Sequence, residues 1–344
     1  MFELWYAVAA LMLAAYAVLD GFDFGAGALS PFVARGDAER RQVLSAIGPF
    51  WDGNEVWLIA AGGALFVAFP RVLSSAVSGF YFAIFLLVWC LLGRGIAIEF
   101  RSHLHDPLWR AAFDFVFAAS SALLAIFFGA ALGNLVRGLP LDAEGWFSLP
   151  LFTDFSARDP VGILDWYTAL VGAFALAALS AHGALFLAWK TEGQVQVRSA
   201  RAAGRLWVAL AVLWPAVTLA SHAVNPALFP AMRTRPLAWL AVAVALGGIT
   251  AAVGLARRGR FLGAFLGSCA FLSGILGATA AAAFPVMLRA RGDGGRSITA
   301  YAGGGDEAGL RTALGWLAIG LPLAILYSVL VFRLHRGKAD AGYH

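Results

Sequence analysis

The sequence predicts an all-α, polytopic membrane protein. Of its 344 residues, 61% are hydrophobic and only 13% are charged, and the mean hydropathy is +0.78. Soluble globular domains contain roughly 45–50% apolar and about 25% charged residues. The excess of apolar residues excludes an ordinary soluble enzyme, a disordered protein and a small disulfide scaffold. Long apolar stretches separated by short polar segments then place the chain among multi-pass helical proteins.

Nine apolar stretches are long enough to cross the hydrocarbon core as helices, which requires about 20 residues each. They are continuous, whereas a membrane β-barrel alternates apolar and polar residues over segments of about ten residues. No connecting loop is long enough for a soluble domain, so residues 1–344 form one integral membrane domain. The predicted spans are residues 4–29, 51–69, 73–98, 112–136, 161–189, 206–224, 237–255, 261–283 and 313–332.

Loop charges predict the orientation. If the N-terminus lies outside, the inner loops carry fifteen Lys and Arg residues and the outer loops carry nine. The positive-inside rule therefore favours an outer N-terminus and a cytoplasmic C-terminus, with His344 inside. The formal net charge of +5 is explained by these loops and by anionic lipid headgroups, so we expect no nucleic-acid partner.

Ionisable side chains inside the predicted spans are the main functional candidates, because charge in hydrocarbon is costly. They are concentrated in the first three spans, and the predicted orientation puts all of them in the cytoplasmic half. A ladder of carboxylates with one arginine can relay protons or hold an ion. The candidates are Asp20, Asp23, Asp52, Glu55, Arg94 and Glu99.

Structural roles compete with a relay role for these residues. Asp52 and Glu55 have the spacing of a capping box at the start of a helix. Arg94 alternatively serves only as the counter-charge of Asp20 or Asp23 across the bundle, in a buried pair that fixes helix register. Asp20 and Asp23, three residues apart on one helix face, are also suited to bind a cation or to pack against a neighbouring subunit.

Histidine and cysteine patterns indicate no metal or haem site within this chain. No two histidines have helical spacing, and none is paired with Met or Cys as in known haem patterns. Cys90 and Cys269 lie in apolar runs without a nearby Cys or His partner. His182, within the fifth span, is interpreted as a hydrogen-bonded interior residue.

Several short motifs resemble subunit II of the cytochrome bd-type quinol oxidases. The resemblance is dense from about residue 1 to residue 140. The main motifs are LDGFDFG at 19–25 and WDGNEVWL at 51–58. The others are GGALF at 62–66, SGFY at 78–81, Arg94, EFR at 99–101 and GNL at 133–135. Phe50 departs from some members, which have a His before the second motif.

The resemblance implies a respiratory terminal oxidase that oxidises quinol and reduces O2 to water in the bacterial inner membrane. The haem b and haem d groups are then held mainly by subunit I, the partner, and a structural quinone is possible in subunit II. The resemblance further implies two four-helix bundles plus one peripheral helix. The corresponding segments are residues 1–140, 160–285 and 310–333. Subunit II would supply scaffolding and part of a cytoplasmic proton route.

Two alternatives remain open at this stage. An ion-coupled secondary transporter would use the aspartates as a substrate or cation site, but it should have broken helices in both halves of the chain. A purely structural subunit would conduct no protons. Absorption by haem d in the purified complex would distinguish an oxidase from a transporter.

Overall fold

The computed structural model describes residues 1–292 and 295–339. This part of the chain contains twelve helices and one short antiparallel hairpin. The helices are α1 (Phe2–Val33), α2 (Asp37–Ile47), α3 (Trp51–Ala68), α4 (Pro70–Gly79), α5 (Tyr81–Phe100) and α6 (Pro107–Arg137). After a long loop come α7 (Trp166–Lys190), α8 (Gly193–Val224), α9 (Leu228–Arg233), α10 (Pro236–Arg257) and α11 (Phe261–Ala283). Strands β1 (Val286–Leu288) and β2 (Ile298–Thr299) precede α12 (Glu307–Leu334).

The all-α membrane fold is confirmed. Eight helices are long and apolar enough to span a membrane, and α3 with α4 makes a ninth if the bent pair is counted as one span. The predicted span 73–98 was wrong at its start: its first residues belong to α4, and the separate helix α5 begins only at Tyr81. Pro70 begins α4, since proline disfavours helical backbone in the preceding residue. The chain therefore turns by 119° between α3 and α4.

Polar residues set two further boundaries that hydropathy missed. The stretch 161–189 was predicted to be one span, but α7 begins only at Trp166. Asp165 forms a capping box there, in which its carboxylate accepts from the backbone of Thr168 and the Thr168 hydroxyl accepts from the Asp165 N–H. Helix α2 was not predicted, because its many charged residues make it too polar for a span.

The long helices pack as two groups of four. Helix α1 packs against α3 and α6, and α6 packs against α5. In the second group, α7 packs against α8 and α11, while α10 lies along α11. Contacts of α6 with α7, and of α1 with α7 and α11, join the two groups. This grouping agrees with two four-helix bundles, while the division of the chain into separate segments stays a prediction.

Helix α12 is peripheral and contacts α3. Its last turn is fixed to the rest of the protein by Phe332, which stacks on Phe50 with a centroid distance of 4.6 Å. Beyond the helix, the Lys190 ammonium donates to the carbonyl of Gly337 at 2.8 Å. Phe50, the residue before the second motif, thus serves as a packing residue.

The chain crosses between two ends of the helix bundle. We call them the α2 end and the hairpin end, after the elements they contain. The α2 end comprises residues 34–50, 101–106, 191–192, 258–260 and 335–339; the hairpin end comprises residues 69–80, 138–165, 225–235 and 284–292 with 295–306. The predicted alternation of loops agrees with this arrangement. His344 lies outside the described residues.

Helices α10 and α11 approach closely through glycine. Gly263 and Gly267 on α11 have the spacing of small residues that allows close helix packing. A Cβ on Gly267 would lie 2.6 Å from the backbone nitrogen of Ala252, and a Cβ on Gly248 would overlap the backbone nitrogen of Phe271. The contact therefore has no room for a methyl group at either position.

We expect Gly248→Ala to separate α10 from α11 and to lower stability by roughly 1–3 kcal/mol, as overpacked contacts do. Gly247→Ala is the matched control, because a Cβ there meets nothing within 4 Å. The melting temperature of the purified protein in detergent measures the effect. Equal melting temperatures for the two variants would contradict the tight contact.

Candidate functional site

The central feature of the first bundle is a fully buried arginine. Arg94 on α5 and Asp20 on α1 both have 0% side-chain exposure. Arg94 Nη1 lies 2.5 Å from Asp20 Oδ1, and Nη2 lies 3.2 Å from Oδ2. The guanidinium thus donates to both carboxylate oxygens, the geometry that gives the strongest ion pairs. The pair joins α1 to α5 inside the bundle.

A second carboxylate shares the same guanidinium. Glu55 on α3 accepts from Arg94 Nη2 at 2.5 Å and is 27% exposed. The Arg94 guanidinium also lies 4.6 Å from the centroid of the Phe24 ring, which favours a cation. Arg94 therefore joins three helices, and Glu55 is its link toward the surface.

Asp23 belongs to the same cluster but forms no ion pair among the described residues. Its Oδ2 accepts from the Asn54 amide at 2.8 Å, and Asn54 also donates to the carbonyl of Leu19 at 3.0 Å. Its Oδ1 is buried without a hydrogen-bond partner among the described residues, as are the Tyr16 hydroxyl and Arg94 Nε. The cluster contains three carboxyl groups and one guanidinium. Such a surplus of acid allows a proton to be held inside the bundle.

The two remaining candidates lie outside this cluster. Asp52 and Glu99 are exposed, and both are close to the α2 end. The capping-box interpretation of Asp52 and Glu55 was wrong: the N-cap of α3 is Phe50, and it makes no side-chain cap hydrogen bond. Asp52 lies within the first turn of α3, and Glu55 binds Arg94 instead. The structure thus brings together four of the six predicted residues.

A second buried ion pair was missed by the sequence analysis. Arg137 at the end of α6 pairs with Asp165, and both side chains are 0% exposed. Arg137 also donates to Asn134 Oδ1 at 2.7 Å and to the carbonyl of Gly162 at 3.1 Å. By position in the sequence, Arg137 belongs to the nine basic residues of the outer loops. The spacing of Asp165 and Thr168, a helix-capping pattern, was the signal that could have placed this site.

His182 is a satisfied interior histidine. Its Nε2 lies 2.9 Å from the carbonyl of Val18, and its Nδ1 lies 2.6 Å from the Ser268 hydroxyl. Because both ring nitrogens are engaged, the residue does not fit a haem ligand. In the part of the chain that the structure describes, no group of three His, Cys, Asp or Glu side chains is placed to hold a metal ion.

These features define a class of protein: a multi-pass helical membrane subunit with its intramembrane charge concentrated in one of two bundles. Residues 1–335 match the profile of a family described as cytochrome bd terminal oxidase subunit II. The chain belongs to this family, as the sequence motifs indicated.

Individual relatives agree with this assignment. The chain is 28% identical to the "Probable cytochrome oxidase subunit 2" of Haemophilus influenzae over 99% of this chain and 95% of that protein. It is 35% identical to the "Cytochrome bd-I ubiquinol oxidase subunit 2" of Escherichia coli K12 over 57% of this chain and 50% of that one.

A solved structure shows the same fold. It is described as the structure of bd oxidase from Geobacillus thermodenitrificans, and the match has a TM-score of 0.74 and 18% identity. The match covers 97% of this chain and 98% of the other. Together, these findings make the chain a subunit of a haem-containing oxidoreductase of the bacterial inner membrane, with a partner subunit I.

The buried pair at the hairpin end generates a stability prediction. Arg137→Gln leaves Asp165 buried without its cation, so we expect a loss of roughly 3–5 kcal/mol. The matched control is Arg158→Gln, an exposed arginine on the loop that joins α6 to α7. Yield and melting temperature of the assembled complex measure the effect. Wild-type values for Arg137→Gln would show that the pair does not stabilise the fold.

Proposed function

We propose that this chain supports a haem-bearing subunit I that oxidises quinol and reduces O2 to water, and that it contributes a cytoplasmic proton route to that reaction. The observation that carries the proposal is the buried cluster around Arg94, with more acid than base. A purely structural ion pair would need one carboxylate for its guanidinium. The additional acids, Asp23 and Glu55, suit a group that gains and loses protons.

The proposed direction is from the α2 end inward. Loops at that end are rich in arginine and lysine, so the positive-inside rule puts this end in the cytoplasm and the N-terminus outside. Asp52 and Glu99 are exposed there and would collect protons. Glu55 lies between these exposed acids and the buried cluster, because its side chain is partly exposed and also contacts Arg94.

The contacts of the two aspartates assign them different roles. Asp20 is held as a carboxylate by the two donors of Arg94, because an adjacent positive charge favours the ionised form. Asp23 accepts one amide hydrogen bond and forms no ion pair among the described residues, so burial favours its neutral acid form. We therefore assign the carried proton to Asp23, with Asn54 fixing the orientation of its carboxyl group.

In this proposal subunit I binds the haem b and haem d groups, which supply the electron transfer and oxygen chemistry. The engaged nitrogens of His182 support this division. A structural quinone within this chain and contact with membrane lipid complete the proposed set of partners.

Orientation can be tested directly. A reporter fused to the C-terminus should be active only in the cytoplasm, and one fused to the N-terminus only outside, because the α2 end carries the basic loops. Reporters active in bacteria on opposite sides of the membrane, such as a fluorescent protein and alkaline phosphatase, make the measurement. A C-terminus outside would place the carboxylates on the wrong side for proton uptake.

The relay can be tested by replacing each aspartate with its amide. Asp23→Asn keeps the size and removes the proton, so we expect normal assembly and haem content with O2 reduction slowed by roughly a hundredfold, the lower range for a lost proton-transfer group. Asp52→Asn should slow turnover less, because Glu99 remains. Asp20→Asn should impair assembly, since Arg94 loses its fully buried partner.

Asp106→Asn is the matched control. Asp106 is an exposed N-cap whose carboxylate accepts from Trp109, and Asn caps a helix equally well. Haem content and oxygen consumption are measured for each variant. Wild-type turnover in both Asp23→Asn and Asp52→Asn would exclude the relay, and loss of assembly in Asp23→Asn would indicate a purely structural cluster.

A further inference from the structure

A polar groove at the α2 end adjoins the buried Arg94 cluster. It has a volume of about 520 Å³ and lies between α2, the start of α3 and the end of α5. Its polar lining residues include Glu99, Ser102 and His103. A cavity that is both polar and this large holds water, because water molecules find several hydrogen-bond partners there. We therefore expect the groove to fill with water from the solvent at this end.

Two helices lead from the groove to the cluster. On α5, Ile98 lines the groove and is four residues beyond Arg94. On α3, Trp51 lines the groove and is four residues before Glu55. Four residues advance an α-helix by about 6 Å and return to the same face. The groove thus ends about one helical turn from the ion pair between Arg94 and Glu55.

The indole of Trp51 occupies the space between α3 and α5 at this point. A Cβ on Gly95 would lie 3.3 Å from the indole ring, so the ring lies directly against α5 where that helix has no side chain. Glu55, which is 27% exposed, is one turn further into the bundle on the same face of α3. Trp51 therefore stands between the groove and the first acid of the cluster.

The groove wall also supplies groups that can collect protons. Arg41 pairs with Asp37 at 2.5 Å, so its charge is already offset. Glu99 is then the acid of the wall, and His103 follows it by one turn, with Nδ1 3.0 Å from the Glu99 carbonyl. Carboxylate and imidazole groups are the usual carriers of protons in enzymes. Asp52 is exposed but does not line the groove.

We propose that this groove is the water-filled mouth of the proton route, with Glu99 and His103 as its proton-collecting groups. Trp51 is a positioning residue that controls the passage of water from the groove to Glu55. The inference rests on the proposed function, because it concerns the supply of protons to the same cluster. It assigns the entry to Glu99 and His103 in preference to Asp52.

The first experiment blocks the groove in the assembled complex. Ser102→Cys is made in a chain whose two cysteines, Cys90 and Cys269, are replaced by alanine, and the new thiol is modified with methanethiosulfonates of different size. A benzyl adduct should slow oxygen consumption roughly tenfold, which is less than the loss of a proton-transfer group itself. A methyl adduct should leave most of the activity, because it leaves room for water.

Arg258→Cys in the same background is the matched control, because Arg258 is exposed at the same end but does not line the groove. It should keep its turnover with both adducts. Equal turnover of the two benzyl-modified complexes would overturn the groove as the entry. Slow turnover of Asp23→Asn beside an uninhibited blocked complex would overturn the groove alone. Wild-type turnover of the aspartate variants beside an inhibited blocked complex would overturn the relay and keep the entry.

The collecting groups are tested by chemical rescue. Glu99→Gln with His103→Gln should slow oxygen consumption, and added imidazole should restore it, because a small proton carrier fits the groove. The wild type at the same imidazole concentration is the reference, and haem content verifies assembly. A structural role for the pair predicts no recovery, so slow turnover without rescue would contradict the assignment, as would unchanged turnover.

The barrier is tested by the reactivity of Glu55. In Trp51→Ala, a water-soluble carbodiimide should modify Glu55 severalfold faster than in the wild type, as measured by mass spectrometry of the peptides. Trp109→Ala is the matched control, because Trp109 is a partly exposed tryptophan at the same end that does not line the groove. Equal rates of Glu55 modification in the two variants would show that Trp51 does not control access.

Discussion

A guanidinium cannot be placed inside a lipid bilayer without a partner, and the first bundle is arranged around this constraint. The cost of an unpaired arginine at that depth is several kcal/mol by the lowest scales. Arg94 offsets this cost with two hydrogen bonds to Asp20, one hydrogen bond to Glu55 and a cation–π contact with the ring of Phe24. Because these partners come from α1 and α3, the positions of both helices relative to α5 are fixed by one side chain.

Arg94 and Arg137, two of the arginines buried in the described part of the chain, differ in what surrounds them. Arg137 faces one carboxylate, with an amide and a carbonyl oxygen satisfying its other donors. That site has balanced charge and lies where a loop joins two helices, as expected for a fold-stabilising pair. Arg94 faces a surplus of carboxyl groups in the middle of a bundle. The surplus of carboxyl groups costs stability, so its presence favours a functional role for the Arg94 site.

Hydropathy predicted the spans because lipid selects for long apolar stretches, whatever the details of packing. Hydropathy gave wrong helix boundaries where a single residue, and not the average composition, decides where a helix begins. Pro70 breaks an apolar run, and Asp165 starts a helix five residues into a predicted span. The amphipathic α2 was missed because its stability depends on ion pairs with α5, α6 and α8, which only the folded chain brings together.

The candidate residues could be found from sequence, but their division into roles could not. Asp20 and Asp23 are three residues apart on one face of α1 and are equivalent by helical spacing. Only the packed structure shows that Arg94 reaches the first and that Asn54 reaches the second. The same motif residue, Asn54, also donates to the carbonyl of Leu19, one residue before Asp20. A single amide therefore holds α3 against the turn of α1 that carries both acids, and in the proposed route Asp23 is the one of the two that carries the proton.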